Sequence, residues 1–118
     1  MDNLQALQDL LAKVEAGDST NDGSMYRAFG DRWVNSFDAF HGSLDAAKEL
    51  HEAVLPGISQ YSIVTDPTCL CVKVCWWPNG LSGGEEIHGE GWHEADPARA
   101  WLIAILKALI AKAEGGAA

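Results

Sequence analysis

The sequence predicts an α/β chain of the α+β kind, a three-layer α-β-α sandwich around a three-stranded antiparallel meander, with elements in the order α-α-α-β-β-β-α. Three observations lead there. Ile58 to Thr65, Cys69 to Trp77 and Glu86 to His93 are β-rich runs joined by short links, which suit antiparallel neighbours rather than crossovers. Helical patterns stand before and after them. In the middle run, Leu70, Val72, Val74 and Trp76 share one face, while Cys69, Cys71, Lys73, Cys75 and Trp77 share the other. The first face is core. The second is semi-apolar, so helices are expected on both sides of the sheet. At 118 residues, the chain reads as a single domain spanning 1–118.

The elements follow in order. Leu4, Leu7, Leu11 and Val14, with Leu10 filling the stripe, make an amphipathic first helix that Gly17 ends. A polar stretch from Asp18 to Gly23 follows. Ser24 is placed as the cap of a short helix through Met25, Tyr26 and Phe29, stopped by Gly30. Asp31 to Gly42 shows no dominant period and is read as a loop packing Trp33, Val34, Phe37 and Phe40 over a core edge. Ser43 caps the next helix, with Leu44, Ala47, Leu50 and Val54 inward, and Pro56-Gly57 closes it. Asp66-Pro67-Thr68 turns the first strand into the second. A longer loop, Pro78 to Gly84, leads to a third strand interrupted by Gly89 and Gly91. Asp96 then caps, and Pro97 opens, a long apolar helix that runs to Gly115-Gly116.

Charge narrows the function classes. The formal net charge is −9, which argues against direct binding to a nucleic-acid backbone or an anionic membrane and suits a partner with a basic surface. The start, Met1-Asp2-Asn3, has no basic leader signature, and the longest apolar run, Ala100 to Leu106, is too short to span a bilayer. Three cysteines without a secretory context fit a reduced, cytoplasmic chain.

Two blocks carry a resemblance. Ser43-Leu44-Asp45-Ala46-Ala47 closes at Leu55-Pro56-Gly57, and Ala95-Asp96-Pro97-Ala98-Arg99-Ala100-Trp101 opens the last helix. With the Leu4 to Glu15 helix they resemble the phage ABA-sandwich domain family, small proteins of phages and prophages. Asp96 stands where that family commonly has threonine, Arg99 and Trp101 where small or aliphatic residues are usual, and Ile58 where a tryptophan often follows Pro-Gly. The outer face of the last helix is therefore expected to be special to this chain. The resemblance implies a sandwich fold and a bacterial-host setting, and carries over no catalytic residue.

The candidate sites lie late in the chain. Glu85, Glu86, Glu90, Glu94 and Asp96 fall within twelve residues without a Lys or Arg. They read as an acidic strip that mimics a phosphate backbone, or as charges that keep an edge strand from pairing. Trp77 reads as an aromatic anchor beside that strip, or as a side chain packed under a helix. Cys69, Cys71 and Cys75 with His88 and His93 offer soft-metal ligands, but Cys71 and Cys75 are about 13 Å apart along a strand, too far to share one ion. That leaves Cys69 and Cys71 with His88 or His93 as the weak metal set, and no cofactor is expected. His41 and His51 are read as surface or helix-packing histidines. No G-x-S-x-G, P-loop, H-E-x-x-H or EF-hand pattern occurs, and Gly89-Glu90-Gly91 fails as a dinucleotide fingerprint because Glu94 occupies the third glycine's place.

The function expected is that of a non-enzymatic phage or prophage accessory protein that binds another protein, in its most concrete form an anti-CRISPR-like inhibitor of host defence. The alternative is a structural or morphogenetic phage protein that self-associates as a homo-oligomer through the Trp101-bearing helix. A third reading is a metalloprotein or enzyme built on the Cys/His set.

Overall fold

A computed structural model describes residues 3–17, 22–65, 70–93 and 96–115. In chain order the elements are α1 (Asn3–Ala16), α2 (Asp22–Phe29), a 3-10 turn (Gly30–Arg32), α3 (Trp33–Phe40), α4 (Leu44–Val54), β1 (Ile58–Thr65), β2 (Leu70–Trp77), a 3-10 turn (Leu81–Gly83), β3 (Ile87–His93) and α5 (Pro97–Gly115). The fold is α+β. Its sheet is an antiparallel meander in the order β1-β2-β3, with helices packed on it.

α5 organises the packing. The Asp96 carboxylate accepts the Arg99 N–H at 3.1 Å, as an N-cap should, and the Asp96 N–H donates to His93 Nδ1 at 2.9 Å. The end of β3 is thereby tied to the start of the helix. Every residue from Ala100 to Leu106 is buried, so α5 is covered all round rather than on one stripe. The sheet lies on one side of it, and α1 and α3 lie against it elsewhere. Arg99 joins α5 to α3: its guanidinium donates to the Phe40 carbonyl at 3.0 and 3.2 Å and stacks 4.1 Å from the Phe40 ring centroid.

β3 and α5 meet backbone to backbone. A Cβ placed on Gly89 would lie 2.1 Å from the Ala104 carbonyl oxygen, and one on Gly91 would lie 2.3 Å from that of Ala100. Ala100, Ala104 and Ala108 recur every fourth residue and form the shallow groove that admits the two glycines. The Gly-x-Gly that weakened the third strand as a sequence signal is a packing device.

Several expectations are corrected. The three layers are the sheet, α5 and the outer helices, so the doubly covered layer is α5 rather than the sheet. Lys73, His88, Glu90 and Trp92 stand exposed on the opposite sheet face, and among the described residues no helix lies across it. That face seemed semi-apolar because of Cys71, Cys75 and Trp77, which are half-buried there. The stretch read as a loop contains α3, whose buried positions are Ser36, Ala39 and Phe40. Four helices therefore precede the sheet. Ser36 and Ala39 share α3's buried face with Phe40, and the half-buried or exposed Trp33, Val34 and Phe37 masked that period.

Ser24 is not a cap. It sits inside α2, buried, with its hydroxyl accepting from Lys13 Nζ at 2.8 Å. Leu44 is exposed, and the inward face of α4 is Ala46, Ala47, Leu50 and His51. Trp101 is buried at 3 % exposure, so it marks no outer face. Ser43 does cap α4, accepting the Ala46 N–H at 3.1 Å. The Asp66-Pro67-Thr68 turn, Cys69 and Glu94 lie outside the described residues.

Candidate functional site: the open face of the sheet

Strand alternation decides which candidates meet. Ile87, Gly89 and Gly91 face α5, so Glu86, His88, Glu90 and Trp92 face outward. The strip consequently splits. Glu85 turns toward the helices and accepts from Lys112 Nζ at 3.0 Å and Asn79 Nδ2 at 3.2 Å. Glu86 and Glu90 stay on the open face. Glu86 accepts the Trp77 indole N–H at 3.3 Å, and Lys73 Nζ lies 3.8 Å from Glu90. Asp96 is engaged as the α5 cap.

Register sets the rest of the face. β1 and β2 pair Val64 with Cys71, Ser62 with Lys73, Gln60 with Cys75 and Ile58 with Trp77. β2 and β3 pair Cys71 with Trp92, Lys73 with Glu90 and Cys75 with His88. Three strands thus present rows running from Val64–Cys71–Trp92, through Ser62–Lys73–Glu90 and Gln60–Cys75–His88, to Ile58–Trp77. The first row is apolar, the second holds the ion pair, and Glu86 reaches the last through Trp77. Trp77 is half-buried, whereas Trp92 is 61 % exposed and is the stronger anchor. Sequence reasoning passed over Trp92. Its signal was its phase: it falls two residues after Glu90 on the same face.

The Cys/His set is divided. His93 pairs with Leu70 on the helix side, away from Cys71. His88 meets Cys75 rather than Cys71, and Cys71 is about four residues, or about 13 Å, along the strand from that point. Among the described residues no three His, Cys, Asp or Glu side chains converge as metal ligands. A different arrangement appears. Cys75 Sγ is 3.3 Å from His88 Nδ1, and His88 Nε2 is 2.7 Å from Glu86 Oε2. Thiol, imidazole and carboxylate stand in the order of nucleophile, base and orienting acid, but on an open sheet face rather than in a cleft.

A cleft lies elsewhere. It measures about 590 Å³ and is lined by Glu15, Trp92, His93, Arg99 and Lys107 among others, where α1, β3 and α5 meet. Its two cations are engaged, Arg99 on the Phe40 carbonyl and Lys107 with Glu15 at 3.8 Å.

His51, read as a surface or helix-packing histidine, lies on the packed face of α4. His51 is buried, 3.2 Å from Trp101 Nε1 through Nδ1 and 2.9 Å from Ser59 Oγ through Nε2. The indole N–H must donate, so Nδ1 accepts and Nε2 carries the proton that Ser59 receives. The rings of Trp101 and Tyr61 lie 4.2 Å apart, and His51 meets Tyr61 edge-on at 5.5 Å. Burial pushes the His51 pKa below 6.5, and Glu52 only partly offsets this. The position was legible, because His51 falls four residues after Ala47 in the α4 stripe.

No family model, curated protein or solved structure matches the chain. Among the described residues no helix is long and apolar enough to cross a membrane.

Proposed function

We propose that this chain is a non-enzymatic protein-binding module whose open sheet face docks on a basic surface. The observation that carries the reading is a sheet face left uncovered, with Trp92 exposed at one corner, Glu90 on the same strand and Glu86 just before it. Aromatic and acidic groups side by side recognise arginine-rich surfaces through cation–π contact and charge. The net charge of −9 steers such a partner inward. Glu86 and Glu90 contribute; Glu85 is committed internally to Lys112. Glu94 belongs to the same strip by sequence alone.

In its specific form the proposal is a phage or prophage accessory protein acting in the host cytoplasm, where it occupies the nucleic-acid-binding surface of a defence complex in the manner of an anti-CRISPR. The Ser43–Ala47 and Asp96–Trp101 blocks support the phage setting through the family resemblance they carry. Self-association through the Trp101-bearing helix loses its basis, since Trp101 is buried. Of the weak metal set, Cys71 and His93 lie on opposite faces, His88 stands opposite Cys75, and Cys69 lies outside the described residues.

The test is capture from host lysate on immobilised protein, followed by elution with heparin, a polyanion that competes for basic surfaces. The wild type is expected to retain proteins that heparin releases, and Glu86→Lys/Glu90→Lys is expected to lose them while keeping its circular dichroism spectrum. Retention that survives the double reversal overturns the reading.

A further inference from the structure

We infer that the free edge of β1 is a self-pairing surface, through which two copies of this chain join their sheets into one six-stranded sheet. β1 pairs with β2 on one side, and among the described residues no strand pairs with its other edge. Such an edge offers a row of backbone donors and acceptors to any extended strand. Proteins guard such edges with charge, proline, bulges or cover. β1 has none of these: Ile58–Thr65 carries no charged residue and no proline, its register with β2 is unbroken over all eight positions, and seven of the eight are exposed. Every other strand and helix carries charge. In a chain of net charge −9, β1 is the strand that brings no charge of its own to a contact between two copies.

The side chains point to the same occupant. Among the described residues, four of the nine large exposed apolar residues are on this one strand, namely Ile58, Tyr61, Ile63 and Val64. Antiparallel pairing of a strand with its own copy requires a two-fold axis normal to the sheet, which keeps both sets of helices on one side. With that axis at Tyr61, Ile58 stands opposite Val64 of the second copy and Gln60 opposite Ser62, both on the open face. Ser59 stands opposite Ile63, and Tyr61 opposite its own counterpart, on the helix face. Apolar meets apolar at both ends of the open face, and its centre pairs two neutral polar residues. Tyr61 is already fixed against Trp101, with ring centroids 4.2 Å apart, so the centre of the edge is ordered before pairing. The inference is independent of the proposed function, since it uses the edge rather than the face.

Sedimentation velocity on the full chain, from dilute to concentrated solution, is the test, with Gln60→Glu/Ser62→Glu as the variant. Ser62 sits opposite Lys73 within the monomer, so the added carboxylate has an intramolecular counter-charge. Across the two-fold axis, with the register centred on Tyr61 or on Ser62, glutamates face each other. The wild type is expected to move toward twice the chain mass as concentration rises, and the variant to stay at the monomer mass with an unchanged circular dichroism spectrum. A wild type that remains monomeric at the highest concentration overturns the inference. So does a dimer that the variant leaves intact.

Discussion

β3 and β1 flank the same central strand in unbroken registers, yet they are built oppositely. β3 alternates buried and exposed residues, and its glycines bring its backbone against Ala100, Ala104 and Ala108 of α5. β1 is exposed at all but one position and touches the helices chiefly through Ser59 and Tyr61, by way of His51 and Trp101. β3 carries Glu90 and His88; β1 carries no charge. The difference divides two roles between the two edge strands. β3 fixes the sheet to its helix and holds the outward-facing acids in place, while β1 is held lightly and leaves a pairing edge bare. The physical cause lies in α5, which lies mainly under β3 and β2 and only partly supports β1.

The largest effect that would break this contrast sits at the glycines. Gly91→Ala and Gly89→Ala each force a methyl into a backbone oxygen, where neither group can swing aside. Overpacking of this kind costs about 3 kcal/mol or more. Urea denaturation should show the loss for both variants, and a cost under about 0.5 kcal/mol, typical of neutral surface positions, would mean that β3 is not tightly seated.

Next comes the link between β1 and the core. His51→Ala leaves the buried Trp101 N–H without its acceptor and opens space beside Tyr61, for an expected loss of about 2 kcal/mol in the same assay. The neutral imidazole also makes stability depend on pH. Its folded-state pKa lies below 6.5, so the unfolded chain binds the proton more readily. The contribution is complete above pH 6.5 and is lost as pH falls from there through the lower folded value. The acid-side decline in melting temperature should be shallower in His51→Ala. An unchanged slope would remove His51 from the account.

Smaller effects sharpen the comparison. Ile63→Thr, on the exposed edge strand, is expected to change monomer stability by no more than about 0.5 kcal/mol, far below either glycine variant. On the open face, His88→Ala removes the base beside Cys75, and thiol alkylation followed by peptide mass mapping should show Cys75 reacting more slowly than in the wild type. Equal rates would mean that the 3.3 Å contact does not activate the thiol.

The contrast was half legible in the sequence. The α5 start, the Ser43 cap, the three strands and the inward face of Val72, Val74 and Trp76 each followed from a local rule of capping or alternation. Layer order did not. A strand's own residues tell which face is apolar but not whether another strand or a helix provides the cover, so Cys71, Cys75 and Trp77 suggested a second helical layer. The function of Gly89 and Gly91 was hidden for a similar reason, because its cause is a set of alanines on another element, with Ala104 and Ala108 opposite Gly89 and Ala100 and Ala104 opposite Gly91. The acidic strip seemed continuous because spacing along the chain ignores the alternation that sends Glu85 inward and Glu86 outward.

The most direct test of the contrast is residue-resolved hydrogen exchange on dilute protein. β3 amides bonded to β2 should exchange as slowly as those in the middle of α5, opening only with global unfolding, while β1 amides bonded to β2 exchange markedly faster. Equal protection of β1 and β3 in the dilute monomer would contradict the account, because the two strands would then be held with the same strength.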